Sequence, residues 1–438
     1  MQEYDIVIEN GTILTMDDDN TVIAEGCLGI RDDTILYVGE NSNKSFQAQK
    51  IIDAQEGVIL PGLINGHTHA AMSLFRGLAD DRPLMDWLNN YIFPVEKKMD
   101  EEFVYIGALL ACAEMIMNGT TTFCDMYLFE EETAKAAHSA EIRCLLGEVL
   151  YDFSSPNYGP IAKGFQYTES LIKKWREDPL VSIAVEPHSL FTCSPELLTT
   201  ANEMAHTYDV PLIIHLAETL QEVQEIKEKY NKKPIEHLYS LGLLGPKLIA
   251  DHCVHLDRDD IRMLSEYDVK VIHNPESNMK LASGIAPIPE MLAQGVTVGL
   301  GTDGCASNNN LDLFSEMDIA AKLHKVRCMD PTVMDAVTVL RMATIEGARA
   351  LGFGHLTGSL EVGKKADIIV MDTHKPHLTP MYNPFSHIVY AAAGRDIEHV
   401  IINGKLVMEH RELLTIDLED ILVKAKEKSD LVRKWISC

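Results

Sequence analysis

Histidines and carboxylates stand at the ends of several apolar stretches of this 438-residue chain. The first pair, His67 and His69, ends an apolar run that begins at Gly57. Residues two apart in a strand point to the same face, so these imidazoles project side by side at a spacing that one metal ion can bridge. Such pairs are common on protein surfaces. The prediction of a metal site therefore depends on further ligands elsewhere in the chain.

Candidates for those further ligands follow other apolar runs: His188, His215, Glu218, His252 and Asp303. Each alone has an ordinary structural explanation, but together they predict three neutral imidazoles and one carboxylate around a divalent ion, with a position left for water. Mixed nitrogen and oxygen ligation suits Zn²⁺, with Fe²⁺ or Mn²⁺ as alternatives. The ion lowers the pKa of its water. A carboxylate that is not a ligand can then carry the proton to a leaving group, and Glu218 is the candidate.

The elements that carry these residues alternate between apolar strands and amphipathic helices. Eight strands follow one another between Gly57 and Asp303, and their nearly continuous apolar character is typical of a parallel sheet covered on both faces. The candidate ligands fall where strands end, which is the face on which (β/α)8 barrels build active sites. The sequence thus predicts an α/β fold in which residues 57–357 form a metal-dependent (β/α)8 TIM-type barrel.

Both ends of the chain predict short strands and turns. Asn10-Gly11 and Asn403-Gly404 each lie between apolar alternations, a pattern that favours a tight hairpin, and Arg31 to Asp33 separate another pair of strands. We therefore expect residues 1–56 and 358–438 to build one small composite β-sandwich domain beside the barrel.

The composition argues against several classes of partner. A formal net charge of -28 repels nucleic-acid phosphates and anionic membranes, so neither is expected to bind. The nine cysteines are scattered, and the first residues carry no basic and apolar leader pattern, so we expect a cytoplasmic protein with reduced thiols. The expected partner is a small molecule, and a homo-oligomer stays open.

Longer motifs around the candidates resemble those of a known family. They are Pro-Gly-Leu-Ile-Asn-Gly-His-Thr-His at 61–69, His-Leu-Ala-Glu at 215–218, Asp-His-Cys-Val-His-Leu at 251–256, His-Asn-Pro-Glu-Ser-Asn-Met-Lys-Leu at 273–281 and Gly-Thr-Asp-Gly at 301–304. With them the chain resembles the amidohydrolase superfamily, and more narrowly its methylthioadenosine/S-adenosylhomocysteine deaminases, which include 5'-deoxyadenosine deaminases. The resemblance implies hydrolysis of adenosine-type nucleosides (5'-deoxyadenosine, methylthioadenosine, S-adenosylhomocysteine or adenosine) to the inosine analogue and ammonia by a metal-activated water.

The resemblance also implies how the candidate residues divide this work. His67, His69 and His215 would bind the metal, and Asp303 would bind the metal and activate the water. Glu218 would protonate the purine nitrogen N1 and pass a proton to the departing ammonia.

Four further residues take substrate-side roles by the same resemblance. His252 would orient or polarise the attacking hydroxide. Glu96 would hold the ribose hydroxyls, His188 would contact the nucleoside, and Trp87 would line the base or sugar pocket.

One position departs from the family pattern. Where members that accept homocysteine carry an arginine after the third barrel strand, this chain has Glu148, and in the loop at 157–164 only Lys163 is basic. A carboxylate there would repel the carboxylate of S-adenosylhomocysteine and forgo a bidentate ion pair. We therefore expect Glu148 to contact the substrate and favour small, uncharged 5' groups, with a structural salt bridge as the alternative.

Other functions explain the motifs less well. A cyclic amidase or dihydroorotase-like hydrolase usually bridges two metals with a lysine on the fourth strand, and the stretch at 181–188 contains none. A guanine deaminase or an s-triazine hydrolase stays open, because small changes in a pocket alter the ring and the leaving group. A non-catalytic barrel predicts the loss of a ligand or of Glu218. The zinc deaminases that act on nucleic acids carry Pro-Cys-x-x-Cys, which this sequence lacks.

Overall fold

The structure is a computed structural model that describes residues 3–41, 47–82 and 84–436. It is a mixed α/β fold with two sheets of parallel strands and one sheet of nine strands. In chain order the strands are β1 (Glu3–Leu14), β2 (Val22–Arg31), β3 (Thr34–Glu40), β4 (Gln47–Asp53), β5 (Val58–Pro61), β6 (Leu63–Thr68), β7 (Thr120–Tyr127), β8 (Arg143–Leu150), β9 (Val181–Ile183), β10 (Glu186–Pro187), β11 (Leu212–Leu216), β12 (Leu248–His252), β13 (Lys270–His273), β14 (Val298–Leu300), β15 (Ile368–Met371), β16 (Ile397–Ile402), β17 (Lys405–Glu409) and β18 (Glu412–Leu413).

Helices separate most of the parallel strands. They are α1 (Leu84–Trp87), α2 (Phe93–Glu96), α3 (Glu101–Met117), α4 (Glu130–Ala140), α5 (Ile161–Trp175), α6 (Pro195–Tyr208), α7 (Leu220–Tyr230), α8 (Pro234–Ser240), α9 (Arg258–Glu266), α10 (Pro275–Lys280), α11 (Ile288–Ala293), α12 (Leu313–Cys328), α13 (Ala336–Met342), α14 (Ile345–Ala350), α15 (Pro384–Tyr390) and α16 (Leu418–Ile436). Short 3-10 turns span Ala70–Phe75, Pro376–Leu378 and Gly394–Asp396, and a π turn spans Leu88–Ile92.

The parallel strands follow one another in chain order. Strands β6, β7 and β8 pair in parallel, β8 also pairs with β9 and β10, and β11 to β14 form the second parallel sheet. Parallel bridges between Val185 and Leu212 and between Ser189 and His215 join the two sheets. The predicted succession of parallel strands and helices is confirmed.

The two ends of the chain share the nine-stranded sheet, whose order is β18-β17-β16-β15-β5-β1-β2-β3, with β4 paired to β1. The hairpin predicted at 403–404 is present, with Ile402 opposite Lys405. The hairpin predicted at 10–11 is wrong, because β1 continues through Asn10 and changes partner there from β4 to β5. Asn10 has φ of 59°, and the register with β2 shifts beside it. The Asn-Gly pair supplies a left-handed residue that serves a bulge here instead of a chain reversal.

The apolar run at 57–64 forms two strands where the sequence suggests one. Strand β5 pairs with β1 and β15 in the nine-stranded sheet, whereas β6 begins the parallel series. Gly62 separates them, and a Cβ at this position would come within 2.1 Å of the Thr121 side chain. The strand that leads to the His67 pair is therefore a direct continuation of the terminal sheet.

The C-terminal helix α16 lies against α3 and not within the terminal sheet. The Trp435 ring is 5.6 Å from the Phe103 ring, and Lys428 pairs with Glu102 at 2.7 Å. The outermost residues of the predicted terminal unit, 1–2 and 437–438, lie outside the described residues.

A buried ion pair connects the parallel strands to the terminal sheet. Arg143, the first residue of β8, donates to Asp367 beside β15 at 2.9 Å, and both side chains are buried. Within the described ranges, no helix has both the length and the apolar character needed to cross a bilayer.

Candidate metal centre and active site

Four imidazoles and one carboxylate meet at the carboxyl ends of the parallel strands. The ring of His67 lies 4.9 Å from that of His69, 4.8 Å from that of His215 and 5.5 Å from that of His252. Asp303 Oδ1 lies 3.1 Å from His69 Nε2 and 3.7 Å from His67 Nε2. Candidate ligand atoms of His67, His69 and Asp303 all lie within 4.8 Å of one another, and so do those of His67, His215 and His252.

His67 is fully buried and neither of its ring nitrogens has a hydrogen-bond partner of good geometry among the described residues. Its Nδ1 lies 3.1 Å from Oδ2 of Asp251, which is also fully buried on β12. A carboxylate beside Nδ1 favours the tautomer whose Nε2 lone pair is free for a metal. The residues present thus fit a divalent ion, which would give the buried Nε2 of His67 the partner that no hydrogen bond provides.

The pair of His69 and Asp303 has the charges of an ion pair when no metal intervenes. Burial alone lowers the pKa of His69, but its hydrogen bond with Asp303 outweighs burial and raises that pKa to about 9. Burial opposes ionisation of Asp303 as well, and the contacts with His69 hold the pKa of its carboxyl well below the usual range. A cation between the two groups would take the place of the shared proton. Ser277 and the Gly304 N–H donate to Asp303 and fix its orientation.

His215 is held as a neutral imidazole. Its Nδ1 donates to the carbonyl of His188 at 2.8 Å, which leaves Nε2 as the acceptor. Burial, helped by the surrounding imidazoles, lowers its pKa well below the ordinary value. Burial likewise lowers the pKa of His188 to about 3, and the Nδ1 of that ring contacts the hydroxyls of Ser189 and Thr192. Both rings therefore stay uncharged at neutral pH.

His252 ends β12 in a left-handed conformation with φ of 70°. Its Nδ1 lies 2.9 Å from Asn278 Oδ1, so that Nε2 is available on the other side of the ring. Burial opposes its protonation, but Glu218 and Asp303 together raise its pKa. Ala217 and Asp303 also have positive φ, of 51° and 61°. Non-glycine residues in this region are strained, and such strain concentrates at functional sites.

The position of Glu218 is set by a second carboxylate on the helix that follows it. Glu222 Oε1 accepts the N–H of Ala217 at 3.0 Å, and its Oε2 accepts the N–H of Glu218 at 2.8 Å. Thr219 caps α7 and Ser283 donates to Glu218 Oε1 at 3.2 Å. The shuttle candidate is therefore held by its backbone and one hydroxyl while its side chain faces the cavity.

A cavity of about 810 Å³, counted with its open mouth, lies above this cluster. Its floor contains His69, His188, His215, Glu218, His252 and Asp303. The rest of the lining is mostly apolar or aromatic: Met72, Trp87, Leu88, Phe93, Met126, Tyr127, Leu128, Val149, Tyr151, Phe153, Phe191 and Leu281, with Glu96 and Ser307. No lysine or arginine occurs among the described lining residues.

Trp87 and Glu96 both line the cavity, as the resemblance implies. Glu96 is buried and accepts a hydrogen bond from the Tyr127 hydroxyl at 2.7 Å. Burial raises the pKa of its carboxyl to about 7, against the hydrogen bond, which lowers it. It is the third carboxyl group of the described lining, beside those of Glu218 and Asp303.

The structure does not bring Glu148 to the substrate cavity, and the expected substrate contact is corrected. Its neighbour Val149 lines the cavity, and successive residues of a strand point to opposite faces. Glu148 is fully buried on the helical side, where it accepts the N–H of Glu130 at 3.0 Å and the amide of Asn157 at 2.9 Å. Burial raises its pKa to about 8. The role seen is structural, although its partners are amides and not a cation.

Several supporting residues escape prediction from the sequence. Asp251 contacts His67, and the Tyr127 hydroxyl donates to Glu96. Glu222 accepts the backbone N–H of Glu218. Ser277 and Asn278 lie in the motif at 273–281, and Asp251 is the first residue of the motif at 251–256. Tyr127 and Glu222 carry no local signal, because their partners are distant in the chain or belong to the backbone.

Comparison with known proteins decides the family. The profile of the Amidohydrolase family matches residues 58–407. The chain belongs to the amidohydrolase family. It is 57% identical over 424 residues, 96% of this chain and 97% of the relative, to a protein of Syntrophobacter fumaroxidans named 5-methylthioadenosine/S-adenosylhomocysteine deaminase.

Two further amidohydrolase relatives match almost end to end. A 5'-deoxyadenosine deaminase of Methanosarcina acetivorans is 46% identical, over 97% of this chain and 98% of its own. The crystal structure of an adenosine deaminase from Xanthomonas campestris with bound zinc superposes with a TM-score of 0.97 and 37% identity, covering 99% of both chains.

Proposed function

We propose that this protein deaminates adenosine-type nucleosides that carry modified 5' groups, among them 5'-deoxyadenosine, methylthioadenosine, S-adenosylhomocysteine and adenosine. It is a metal-dependent aminohydrolase that releases ammonia and the inosine analogue. The observation that carries the proposal is the convergence of His67, His69, His215 and Asp303 beneath a mostly apolar cavity that also presents Glu218. Its relatives at 57% and 46% identity are named for this chemistry.

The metal ligands we propose are His67, His69, His215 and Asp303, and Zn²⁺ is the ion favoured, with Fe²⁺ and Mn²⁺ as alternatives. When bound, the ion supplies Lewis-acid chemistry that makes water a nucleophile at neutral pH. The neutral state of His215 and the anionic state of Asp303 suit such ligation. The zinc in the Xanthomonas campestris structure supports the same class of ion.

The proton steps belong to residues of this chain. Asp303 activates the water, whose oxygen adds to purine C6, and one proton of the water passes through Glu218 to N1. The second proton of the water passes through Glu218 to the exocyclic amine, the C6–N bond breaks, and ammonia leaves. His252 stands beside Glu218 and Asp303 and orients the attacking oxygen. General acid–base catalysis of this kind contributes about 10²–10⁴-fold in rate.

We assign the sugar end of the cavity to Glu96, His188 and Trp87. All three line the cavity, and the Tyr127 hydroxyl holds Glu96 in place. A carboxylate accepts hydrogen bonds from the two ribose hydroxyls, and an indole offers an apolar surface to a ring.

We propose a preference for uncharged 5' groups because of the residues that line the cavity, and not because of Glu148. An amino acid carboxylate is best met by arginine, and none lies among the described lining residues. The stacked rings of Tyr151 and Phe153, 3.8 Å apart, offer instead an apolar surface to a methyl or methylthio group. A higher kcat/KM for S-adenosylhomocysteine than for 5'-deoxyadenosine would overturn this preference.

We also infer that the parallel strands close a (β/α)8 barrel. Strand β14 packs against β6, and the Asp303 N–H donates to the carbonyl of His67 at 2.9 Å, which joins the last strand to the first. We infer further that the terminal sheet curls into a sandwich, because Ile8, Ile35 and Ile401 share one core. In this proposal the first domain boundary moves from 57 to Gly62, and the second stays at 358.

Ammonia release from metal-replete protein tests the function. The panel contains 5'-deoxyadenosine, methylthioadenosine, S-adenosylhomocysteine, adenosine, guanine and an s-triazine. Turnover of guanine or the triazine above that of every adenosine compound would favour those alternatives instead. Glu218→Gln is expected to lower kcat at least about 1,000-fold while metal content stays unchanged. The matched control is Glu225→Gln, an exposed residue of α7, the helix that follows Glu218, and this variant should retain full activity.

A further inference from the structure

A second cluster of imidazoles and a carboxylate lies in the terminal sheet, outside the lining of the catalytic cavity. It consists of Glu398 and His399 on β16 and of His410, which follows β17. One candidate ligand atom from each residue lies within 4.8 Å of the others. The rings of His399 and His410 are 4.6 Å apart, close to the 4.8 Å between His67 and His215 in the catalytic cluster.

An irregularity of β16 brings neighbouring side chains together. His399 pairs with Val370 and Ile397 pairs with Met371, so Glu398 is an extra residue without a partner on β15. Such a bulge breaks strict alternation and redirects a side chain. Across β17, His410 and Arg411 both take left-handed conformations, and the Arg411 N–H donates to the Glu398 carbonyl at 3.1 Å. This hydrogen bond holds the turn that follows β17 next to the bulge of β16.

His399 is the buried member of the cluster, and one of its ring nitrogens is unsatisfied. Its side chain is only 4% exposed, and its Nδ1 is buried with no hydrogen-bond partner among the described residues. Leaving a buried polar group unsatisfied costs about 1–3 kcal/mol. His410 Nδ1 contacts Glu398 Oε1 at 2.7 Å, so the carboxylate and the second ring are already oriented toward each other.

The surroundings favour a cation. The cluster borders a cavity of about 400 Å³ that Asp53 and Asp372 also line. The nearest lysines are engaged elsewhere, Lys50 with Glu409 and Lys375 with Asp372. Arg411 lies near Glu398 but donates to backbone carbonyls, and among the described residues no lysine or arginine forms an ion pair with Glu398.

We propose that Glu398, His399 and His410 bind a divalent transition metal of the Zn²⁺ class at a second, non-catalytic site. Two imidazoles and one carboxylate form the mixed nitrogen and oxygen set that this class prefers, with a remaining position for water. The ion connects the bulge of β16 to the turn after β17. Its function is to stabilise the edge of the terminal sheet.

Zinc counting on the full chain tests the site. Protein stripped with a chelator is dialysed against buffered Zn²⁺, and metal per chain is measured by elemental analysis. The wild type should hold two equivalents, and His410→Ala and His399→Ala should each hold one. The matched control is His206→Ala, which should hold two equivalents, because His206 is an exposed residue of α6 whose ring bonds to the Asn202 carbonyl of the same helix.

Two further variants keep the result interpretable. His410 is exposed, so His410→Ala is expected to fold even if His399→Ala does not. His69→Ala should lose the catalytic equivalent and retain the second one, whereas His410→Ala should keep full deaminase activity. A wild type with one equivalent, or a His410→Ala protein with two, would overturn the proposal without affecting the proposed deaminase function.

Discussion

Replacing Asp251 tests how the protein prepares His67 for a metal. Asp251 Oδ2 lies 3.1 Å from His67 Nδ1, and both side chains are fully buried. Neither oxygen of the carboxylate makes a hydrogen bond of good geometry with a described residue, so the close contact with His67 is the one that the substitution alters. Asp251→Asn keeps the volume and one acceptor oxygen but removes the charge that holds the proton on Nδ1.

The size of the effect follows from the contact. Hydrogen bonds to charged groups contribute about 1.5–3 kcal/mol and neutral ones about 0.5–1.5 kcal/mol, so losing the charge costs about 1.4 kcal/mol. That difference weakens metal binding about tenfold. Asp251→Ala also leaves a buried N–H without an acceptor, and we expect binding about 100-fold weaker, the upper end for residues that support a metal ligand.

Competition with a chromophoric zinc chelator at neutral pH measures both constants. All proteins carry His410→Ala, so that the cluster on β16 does not contribute to the signal. Asp209→Asn is the control, because this exposed carboxylate forms an ion pair with Lys247 and lies outside the lining of the catalytic cavity, so the affinity should stay unchanged. An Asp251→Asn protein whose Kd stays within about twofold of the parent would refute the argument, since the charge would then be irrelevant to the ligand.

Three other predictions concern carboxylates. Burial raises the Glu96 pKa to about 7, so its carboxylate is about half ionised at pH 7 and loses its ability to accept ribose hydrogen bonds as the pH falls further. We therefore expect kcat/KM to decline as the pH falls through about 7, and Glu96→Gln to remove this ionisation from the pH profile. Glu148→Gln should change kcat/KM less than about threefold for every substrate, because its partners are protein amides; a selective effect on S-adenosylhomocysteine would restore the substrate role. Asp367→Ala leaves Arg143 buried and unpaired and should cost about 3–5 kcal/mol, seen as a lower thermal midpoint, whereas Asp209→Ala should leave that midpoint unchanged.

Residues that end buried strands could be predicted from the sequence. His67, His215 and Asp303 each follow a short apolar run, and the carboxyl ends of parallel strands meet on one face whatever the details of the helices between them. The structure brings these residues into one cluster for that reason. The predicted helix–strand succession needs no more information than the apolar pattern itself.

The side on which a strand residue points was not predictable. Strand β8 is buried along its whole length, so its sequence does not distinguish the cavity face from the helical face. The sequence therefore predicts Glu148 on the cavity face, whereas the structure places it on the helical face. Asp251 lies in an equally buried strand, and its contact with His67 depends on the pairing of strands that are distant in the chain.

The Asn-Gly pairs do not by themselves determine where the chain reverses. Asn10 and Asn403 both precede glycine and both take positive φ, yet only the second reverses the chain. The two sites differ in the neighbouring strands that are available, because β1 continues past Asn10 and pairs with β5. The local sequence specifies the backbone conformation, and tertiary contacts decide its use.

The place of β5 has a consequence for synthesis on the ribosome. This strand continues through Gly62 into the metal ligands of β6, and it lies between β1 and β15. Its pairs with β15, such as Leu60 with Ile369, join a segment that is synthesised early to one that is synthesised late. The nascent chain therefore carries an open strand edge next to its histidine pair until nearly the whole polypeptide has emerged, and open edges recruit other chains. Release of a chain truncated before β15 should yield aggregates and not a partly active enzyme.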